Sequence, residues 1–360
     1  MIVWQAHEGN LSGANIAMLE YIDALQANYR SHVILPHEGN MCKEITDRAV
    51  SLSIIPQYGW AGTSDAGTFV KRIKRSVRTY IAVNAIKQLL VRTKPVFVFS
   101  NTLVTFAAAK AAYQLGLSHV WWIHEYGEED FGFVIGNGNS SNAFRKMRKW
   151  SKLIICNSEA VKRKFQILLP NVSVERIYQP VSWQSIDCRI NPDGVEYLMF
   201  GQIVASKGHI EVIEAIALSR KKGHLIRLDI KGPCEDIIYL GNLQKLIRKH
   251  GLSDQISLEV GFFVKELVIP AYKVLIVASR SEAFGRVIVE ATKAGLKVIV
   301  KNSGGAPELV NEKNGKLYKT TEELSAIFDQ EIIGSISNVD FNYNEAMELL
   351  RLHQLLASIK

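Results

Sequence analysis

What most constrains this chain is an alternation that occurs twice. In the first half, short β-branched or aromatic runs, IVWQA (2–6), HVILP (32–36), VFVFS (96–100), HVWWI (119–123) and KLIIC (152–156), are separated by stretches of helical period at 14–25, 69–91, 103–115 and 159–169. Strand-length apolar runs alternating with helices predict a parallel sheet covered by helices on both faces. A polar, aperiodic stretch with two prolines (178–196) reads as a linker. The alternation then restarts, with strands at 197–201, 225–232, 256–260, 274–279 and 297–301 and helical stretches at 207–220, 238–250 and 285–295. The expectation is two doubly wound α/β domains, 1–180 and 181–340, facing each other across a cleft at the carboxyl ends of their strands. Residues 341–360 form a closing helix that packs back on the first domain.

At 360 residues two domains are the natural size, and 48% hydrophobic with 22% charged residues fits a soluble globular chain. No apolar run nears the roughly 18–20 residues of a membrane span. No signal-like segment follows Met1, so a cytoplasmic location is expected. Cys42, Cys156, Cys188 and Cys234 are far apart and form no C-x-x-C pair, so reduced thiols are expected rather than a disulfide framework or zinc site. The net charge of +8 is unevenly placed: residues 1–180 hold 21 Lys+Arg against 13 Asp+Glu, whereas 181–360 hold 22 of each. The first half therefore faces an anionic partner.

The stretch SRSEAFGRVIVEATKAG (279–295) joins a buried strand to a helix whose apolar positions are read as Val287, Ala291 and Ala294. A strand-to-helix turn at a sheet edge presents backbone N–H groups and partial positive charge, which suits an anion. Glu282 before the helix and Glu290 within it would flank that anion with two acceptors for hydroxyls. A phosphate flanked by polyols describes a nucleotide-sugar. The spacing alone fits an ordinary helix start as well, where a glutamate favours the dipole.

SRSEAFGRVIVE resembles the E-x7-E motif of retaining GT-B glycosyltransferases of family 4. FGQIVASKGH (200–209), IKGP (230–233) and NSGGAPELV (302–310) resemble other donor-pocket elements of that family, in order. GNLSGAN (9–15), WWIHE (121–125) and ICNSEAVK (155–162) resemble elements of its N-terminal domain. The likeness runs over about residues 1–320 and implies a GT-B fold of two Rossmann-like domains, the first binding acceptor and the second the nucleotide-sugar. It implies that Glu282, His124 and Lys207 form the catalytic set. Donor binding would use Gly13, Gln202, Lys207, Phe284, Gly285 and Glu290: Glu282 and His124 on the sugar, Lys207 and the Phe284 and Gly285 amides on the phosphates, Glu290 on the ribose. Gly13 would let the first loop approach the diphosphate closely. Family members usually carry arginine where this chain has Gln202, with Arg280 and Arg286 as candidate substitutes. Taken singly, Lys207 also fits a solvated lysine, His124 a hydrogen-bonded strand end, Gly13 a turn, Glu308 a cap, and His209 a structural role.

The reaction implied is a retaining hexosyl transfer from a nucleoside-diphosphate sugar to an acceptor hydroxyl, a glycan or lipid-linked acceptor in surface polysaccharide or lipopolysaccharide synthesis. No D-x-D occurs, so neither metal nor cofactor is expected. An inactive sugar-nucleotide-binding subunit, a GT-B epimerase and a phosphorylase are the alternatives. A dehydrogenase fits less well, because no G-x-G-x-x-G follows the first strand. The basic stretch 69–94, with Lys71, Arg72, Lys74, Arg75 and Arg78 around Phe69, Ile73 and Val77, continues through Ile81, Ala85 and Leu89. It reads either as an interfacial helix on anionic lipid or as a core-facing helix with a solvated cationic face. FRKMRKWSK (144–152) poses the same choice through Phe144, Met147 and Trp150. No nucleic-acid module is recognised, and the resemblance favours a peripheral position at the inner face of the cytoplasmic membrane.

Overall fold

The computed structural model describes residues 1–62, 69–184, 196–330 and 343–360, with backbone only for 69–72 and 131. It divides into two compact units, Met1–Pro180 with Asn344–Lys360, and Val181–Tyr343. Cys188 and a boundary at 340/341 lie outside the described residues, and Cys42, Cys156 and Cys234 are free thiols.

The first unit is a seven-stranded parallel sheet of order β3-β2-β1-β4-β5-β6-β7. Its strands are β1 Ile2–Gln5, β2 Ser31–Leu35, β3 Ser51–Ile54, β4 Phe97–Asn101, β5 His119–Ile123, β6 Leu153–Cys156 and β7 Ser173–Arg176. The central strands are buried on both faces, as covering by helices requires. One face packs Ile2, Trp4, Phe97, Phe99 and Trp122 against the helix Gly13–Leu25. The other packs Val3, Ile34 and Val98 against Val83, Ile86, Leu89 and Leu90 of the helix Phe69–Thr93. The helix Glu345–Ser358 adds Leu352 and Leu356, both fully buried, to the first face.

The second unit is a six-stranded parallel sheet of order β10-β9-β8-β11-β12-β13, from β8 Tyr197–Phe200, β9 Leu228–Gly232, β10 Ile256–Val260, β11 Val274–Val277, β12 Lys297–Lys301 and β13 Gly315–Tyr318. In both sheets the strand order reverses beside the first strand, at β1/β4 and at β8/β11. Loops diverge there at the carboxyl ends, leaving room for a ligand.

Several elements differ from the sequence expectation. The edge strands β3, β7 and β13 are additional; each has only four residues and is partly exposed, so none forms an apolar run. The helix expected over 103–115 is Ala107–Gln114, because residues 103–106 form a loop held by side chains. The stripe Phe144, Met147 and Trp150 is a core face: in the helix Ser140–Trp150, Met147 is buried, Phe144 lies edge-on to Phe165 and Trp150 stacks on Trp60.

Candidate functional site

In the second unit the β8/β11 reversal holds a recess lined by Gly201, Gln202, Lys207, Ser279, Glu282 and Val287. After β8 the chain makes a 3-10 turn, Ala205–Lys207, and passes through Gly208 into the helix His209–Lys221. Gly208 has φ +75°, and a Cβ there would stand 2.1 Å from the Ala278 carbonyl oxygen, so only glycine lets this turn lie on the end of β11. The Arg280 amide donates to Ser206 O at 2.9 Å and ties the two loops together. Arg280 thus starts from the rim that carries Gln202, and both are exposed.

This packing sets the central pair. Lys207 Nζ donates to Glu282 Oε2 at 2.8 Å, with side chains 39% and 19% exposed. Burial opposes ionisation of Glu282, but the Lys207 ammonium and a hydrogen bond from Ser279 outweigh it and hold the carboxyl below its ordinary range. Glu282 is backed by the glycine pair: the Gly305 amide donates to Glu282 O at 2.7 Å, and a Cβ on Gly304 (φ +66°) would meet that oxygen at 2.4 Å.

The turn then enters the helix Arg286–Lys293 with Gly285 as N-cap and no side-chain cap. Phe284 is buried beside it and lies 6.4 Å from the Tyr343 ring. The expected apolar face of this helix holds only at Ala291: Val287 lines the recess and Ala294 is half-buried, while the core face is Ile288, Val289, Ala291 and Thr292. Glu290 is 5% exposed and pairs with Lys265, a partner that sequence reading missed. Lys265 lies in the short helix Lys265–Val268 after β10 and has no motif spacing to Glu290. His209 is buried next to the Tyr239 hydroxyl, and burial pushes its pKa down to about 4, so it is neutral at neutral pH. Glu308 sits in a 3-10 turn, Ala306–Leu309.

In the first unit, His124 lies just beyond β5. Its Nε2 is 2.7 Å from Asn101 Oδ1 at the end of β4, and its Nδ1 meets the Gln179 amide. The following residue, Glu125, was also missed. Its Oε1 accepts from the Leu103 amide and its Oε2 from the His124 amide at 2.9 Å, so it clamps the loops after β4 and β5. Burial pushes its carboxyl up to about 7 despite these bonds. The only sequence sign was an acid directly after the strand-end histidine.

Gly13 is the exposed first residue of the helix Gly13–Leu25, capped by Ser12. Crowding that calls for glycine is seen at Gly9 and Gly39, where a Cβ on Gly39 would meet Gly9 O at 2.2 Å. On the helix Phe69–Thr93, Lys74, Arg75 and Arg78 are exposed, and so are Ile73, Val77, Tyr80 and Ile81, at 48–68%. The stripe through Ile73 and Val77 therefore faces solvent, and its continuation turns inward along the helix: Ile81 is exposed, Ala85 half-buried and Leu89 buried beside the core residues Val83, Ile86 and Leu90. The side chains of Lys71 and Arg72 lie outside the described residues. Among the described residues no helix is long and apolar enough to cross a membrane.

Comparison with known proteins places this geometry. A family model described as "Glycosyl transferases group 1" matches residues 187–345. A GDP-mannose:cellobiosyl-diphosphopolyprenol alpha-mannosyltransferase of Xanthomonas oryzae pv. oryzae (strain PXO99A) is 28% identical over 139 residues, which are 38% of this chain. The match spans 36% of that relative, about a third of its length. Among solved structures, Anabaena Alr3699/HepE in complex with UDP is 18% identical, covers 99% of this chain and 98% of its own, and has a TM-score of 0.73. A glycosyltransferase from Rickettsia africae ESF-5 is 16% identical with the same coverage and a TM-score of 0.72. The chain is thus similar to the glycosyl transferases group 1 family over residues 187–345, and its fold is the GT-B fold.

Proposed function

We propose that this protein is a retaining glycosyltransferase of the family 4 type, moving a hexosyl group from a nucleoside-diphosphate sugar to an acceptor hydroxyl. The observation that carries the reading is the Lys207–Glu282 pair at the β8/β11 reversal. In the donor complex Lys207 leaves Glu282 for the diphosphate, where a cation stabilises the growing leaving-group charge. The freed carboxylate takes sugar hydroxyls, and Glu290 takes the ribose. The Phe284 and Gly285 amides face the distal phosphate, and Arg280 stands in for the arginine replaced by Gln202. His124 and the Gly13 loop serve the sugar and diphosphate from the first unit, which binds the acceptor. No enzyme nucleophile and no divalent metal enter this scheme. Supporting the donor class, HepE was solved with UDP and with UDP-glucose, and the Xanthomonas relative is named for GDP-mannose and a lipid-linked acceptor.

A thermal-shift panel of UDP, GDP, ADP, CMP and dTDP against wild type and Glu290→Ala tests the reading. One nucleotide raising the melting temperature of the wild type alone fixes the donor class by mass action. No shift with any of them overturns the catalytic reading in favour of a degenerate or scaffold role. An epimerase would return an epimeric nucleotide-sugar, so free nucleoside diphosphate released only when acceptor is present decides for transfer.

The acceptor reading is a glycan or lipid-linked sugar at the inner face of the cytoplasmic membrane. It draws on the exposed apolar and cationic positions Ile73, Lys74, Arg75, Val77, Arg78 and Ile81, whose like is attracted to anionic lipid by about 1 kcal/mol per cation. Sedimentation with phosphatidylglycerol vesicles that is unchanged from neutral vesicles would sink that part.

A further inference from the structure

At the carboxyl end of the first sheet a row of hydrogen-bonding side chains runs from the first loop to the segment after β7: Asn15, Asn101, His124 and Gln179. Asn15, Asn101 and Gln179 are 0%, 1% and 3% exposed. We propose that Gln179 is a positioning residue that keeps the His124 imidazole neutral, with its single proton on Nε2. This rests on the reading above that His124 serves the donor sugar.

The assignment follows from groups that can only accept. The Asn15 Nδ2 donates to the backbone carbonyls of Glu8 (3.3 Å) and Asn10 (2.8 Å), which turns its Oδ1 toward Asn101. The Asn101 Nδ2 donates to that oxygen (3.3 Å) and to the Ala14 carbonyl (3.1 Å). The Asn101 Oδ1 is therefore the atom that faces His124, and Nε2 must carry the hydrogen that it accepts. With Nε2 protonated, the state of Nδ1 depends on what Gln179 offers. It offers its amide nitrogen, a donor, so Nδ1 is the acceptor and the ring bears no charge. The ring is further held by its backbone: its amide donates to Glu125, its carbonyl accepts from Asn157 Nδ2 at 3.0 Å, and its face lies parallel to Trp122.

Neutrality has a chemical use. A sugar that develops oxocarbenium character is disfavoured by a fixed cation beside it, at short range and in a partly buried site. A neutral N–H donor can orient a sugar hydroxyl without that repulsion. The cation that the reaction requires, Lys207, is assigned to the diphosphate instead.

The test is nitrogen NMR of the His124 ring at neutral pH, with His124→Ala giving the assignment. Glu125 follows His124 in the chain and accepts from its amide, with Asp130 and His7 acting on Glu125 in turn. In wild type the spectrum should show one protonated nitrogen, Nε2. In Gln179→Glu a carboxylate replaces the amide donor, so Nδ1 must also be protonated and the ring becomes an imidazolium. Transfer at saturating donor should then fall by roughly tenfold or more. In Gln179→Met, which keeps the bulk and removes the donor, both neutral tautomers should be populated. A wild-type ring that is already charged or protonated on Nδ1, or a ring state that ignores both substitutions, overturns the proposal. If the NMR results hold but His124→Ala transfers sugar at the wild-type rate, the positioning stands and the role of His124 at the sugar fails.

Discussion

The two sheets reverse strand order at equivalent places yet furnish those places with opposite chemistry. At β8/β11 the side chains are charged and pair with each other, Lys207 with Glu282 and Lys265 with Glu290. At β1/β4 the buried amides of Asn15, Asn101 and Gln179 line up with His124, and the carboxyl of the adjacent Glu125 is pushed up to about 7. An ion pair open to solvent can trade partners with an incoming phosphate at small net expense, since each charge stays matched. A buried neutral network cannot trade so readily, because any group left unpaired costs about 1–3 kcal/mol. One end is made to exchange and the other to hold still.

The sharpest way to break this contrast is Lys207→Ala. Transfer efficiency should fall by about 10²-fold or more, as for loss of a charge-stabilising donor, measured as kcat/KM. Glu282→Gln should separate binding from transfer: it frees Lys207, so free nucleoside diphosphate binds at least as well while transfer falls. Equal loss of both would mean that the pair is a structural brace.

Next in size is Gly304→Ala. Its methyl would press on the Glu282 carbonyl in a left-handed backbone, and about 2–3 kcal/mol of stability should go, read as a lower denaturant midpoint with reduced nucleotide stabilisation. Unchanged stability would show that the turn behind Glu282 can yield.

Glu125→Gln should cost about 1–2 kcal/mol, because its amide nitrogen would face a backbone N–H it cannot accept. The pH dependence sharpens this. The folded protein binds the Glu125 proton more tightly than the unfolded chain, whose value is near 4.5. Glu125 therefore makes stability fall as pH rises from about 4.5 to about 7. Buried His119, pushed down to about 3, works the other way and makes stability rise with pH up to about 6.5. Denaturant titrations across this range should lose the downward component in the glutamine variant and keep the upward one.

The smallest effect on stability belongs to Lys74, Arg75 and Arg78. Replacing all three by alanine should shift the melting transition by no more than about 0.5 kcal/mol per site while weakening retention on anionic vesicles. A large stability loss would return this helix surface to the fold.

These contrasts also mark what the sequence could reveal. The central strands were legible because burial on both faces demands unbroken apolar runs, as in HVWWI and KVIVK. Of the edge strands, ISLEV was legible but SLSI, SVER and GKLY were not, because an edge needs no such run. Lys207, Glu282 and Glu290 could be named because the stretches that carry them, FGQIVASKGH and SRSEAFGRVIVE, resemble known family motifs. Lys265, Glu125 and Gln179 could not, since each meets its partner through tertiary packing and leaves no local pattern. The core face of the helix after Gly285 was legible only at Ala291 for a related reason: periodicity gives a face but not its zero point.

The helix Glu345–Ser358 bears on how the chain is made. Leu352 and Leu356 complete the core of Ile2, Trp4 and Phe97, and Glu348 binds Arg176 and the Tyr178 amide. A ribosome finishes every residue of Val181–Tyr343 before it reaches these positions. The middle of the polypeptide can thus reach its native state while the beginning, made first, still waits for its closing piece. Vectorial synthesis and order of folding run in opposite senses, and a nascent chain halted near residue 343 would present the inner face of its oldest sheet to the chaperones of the cell.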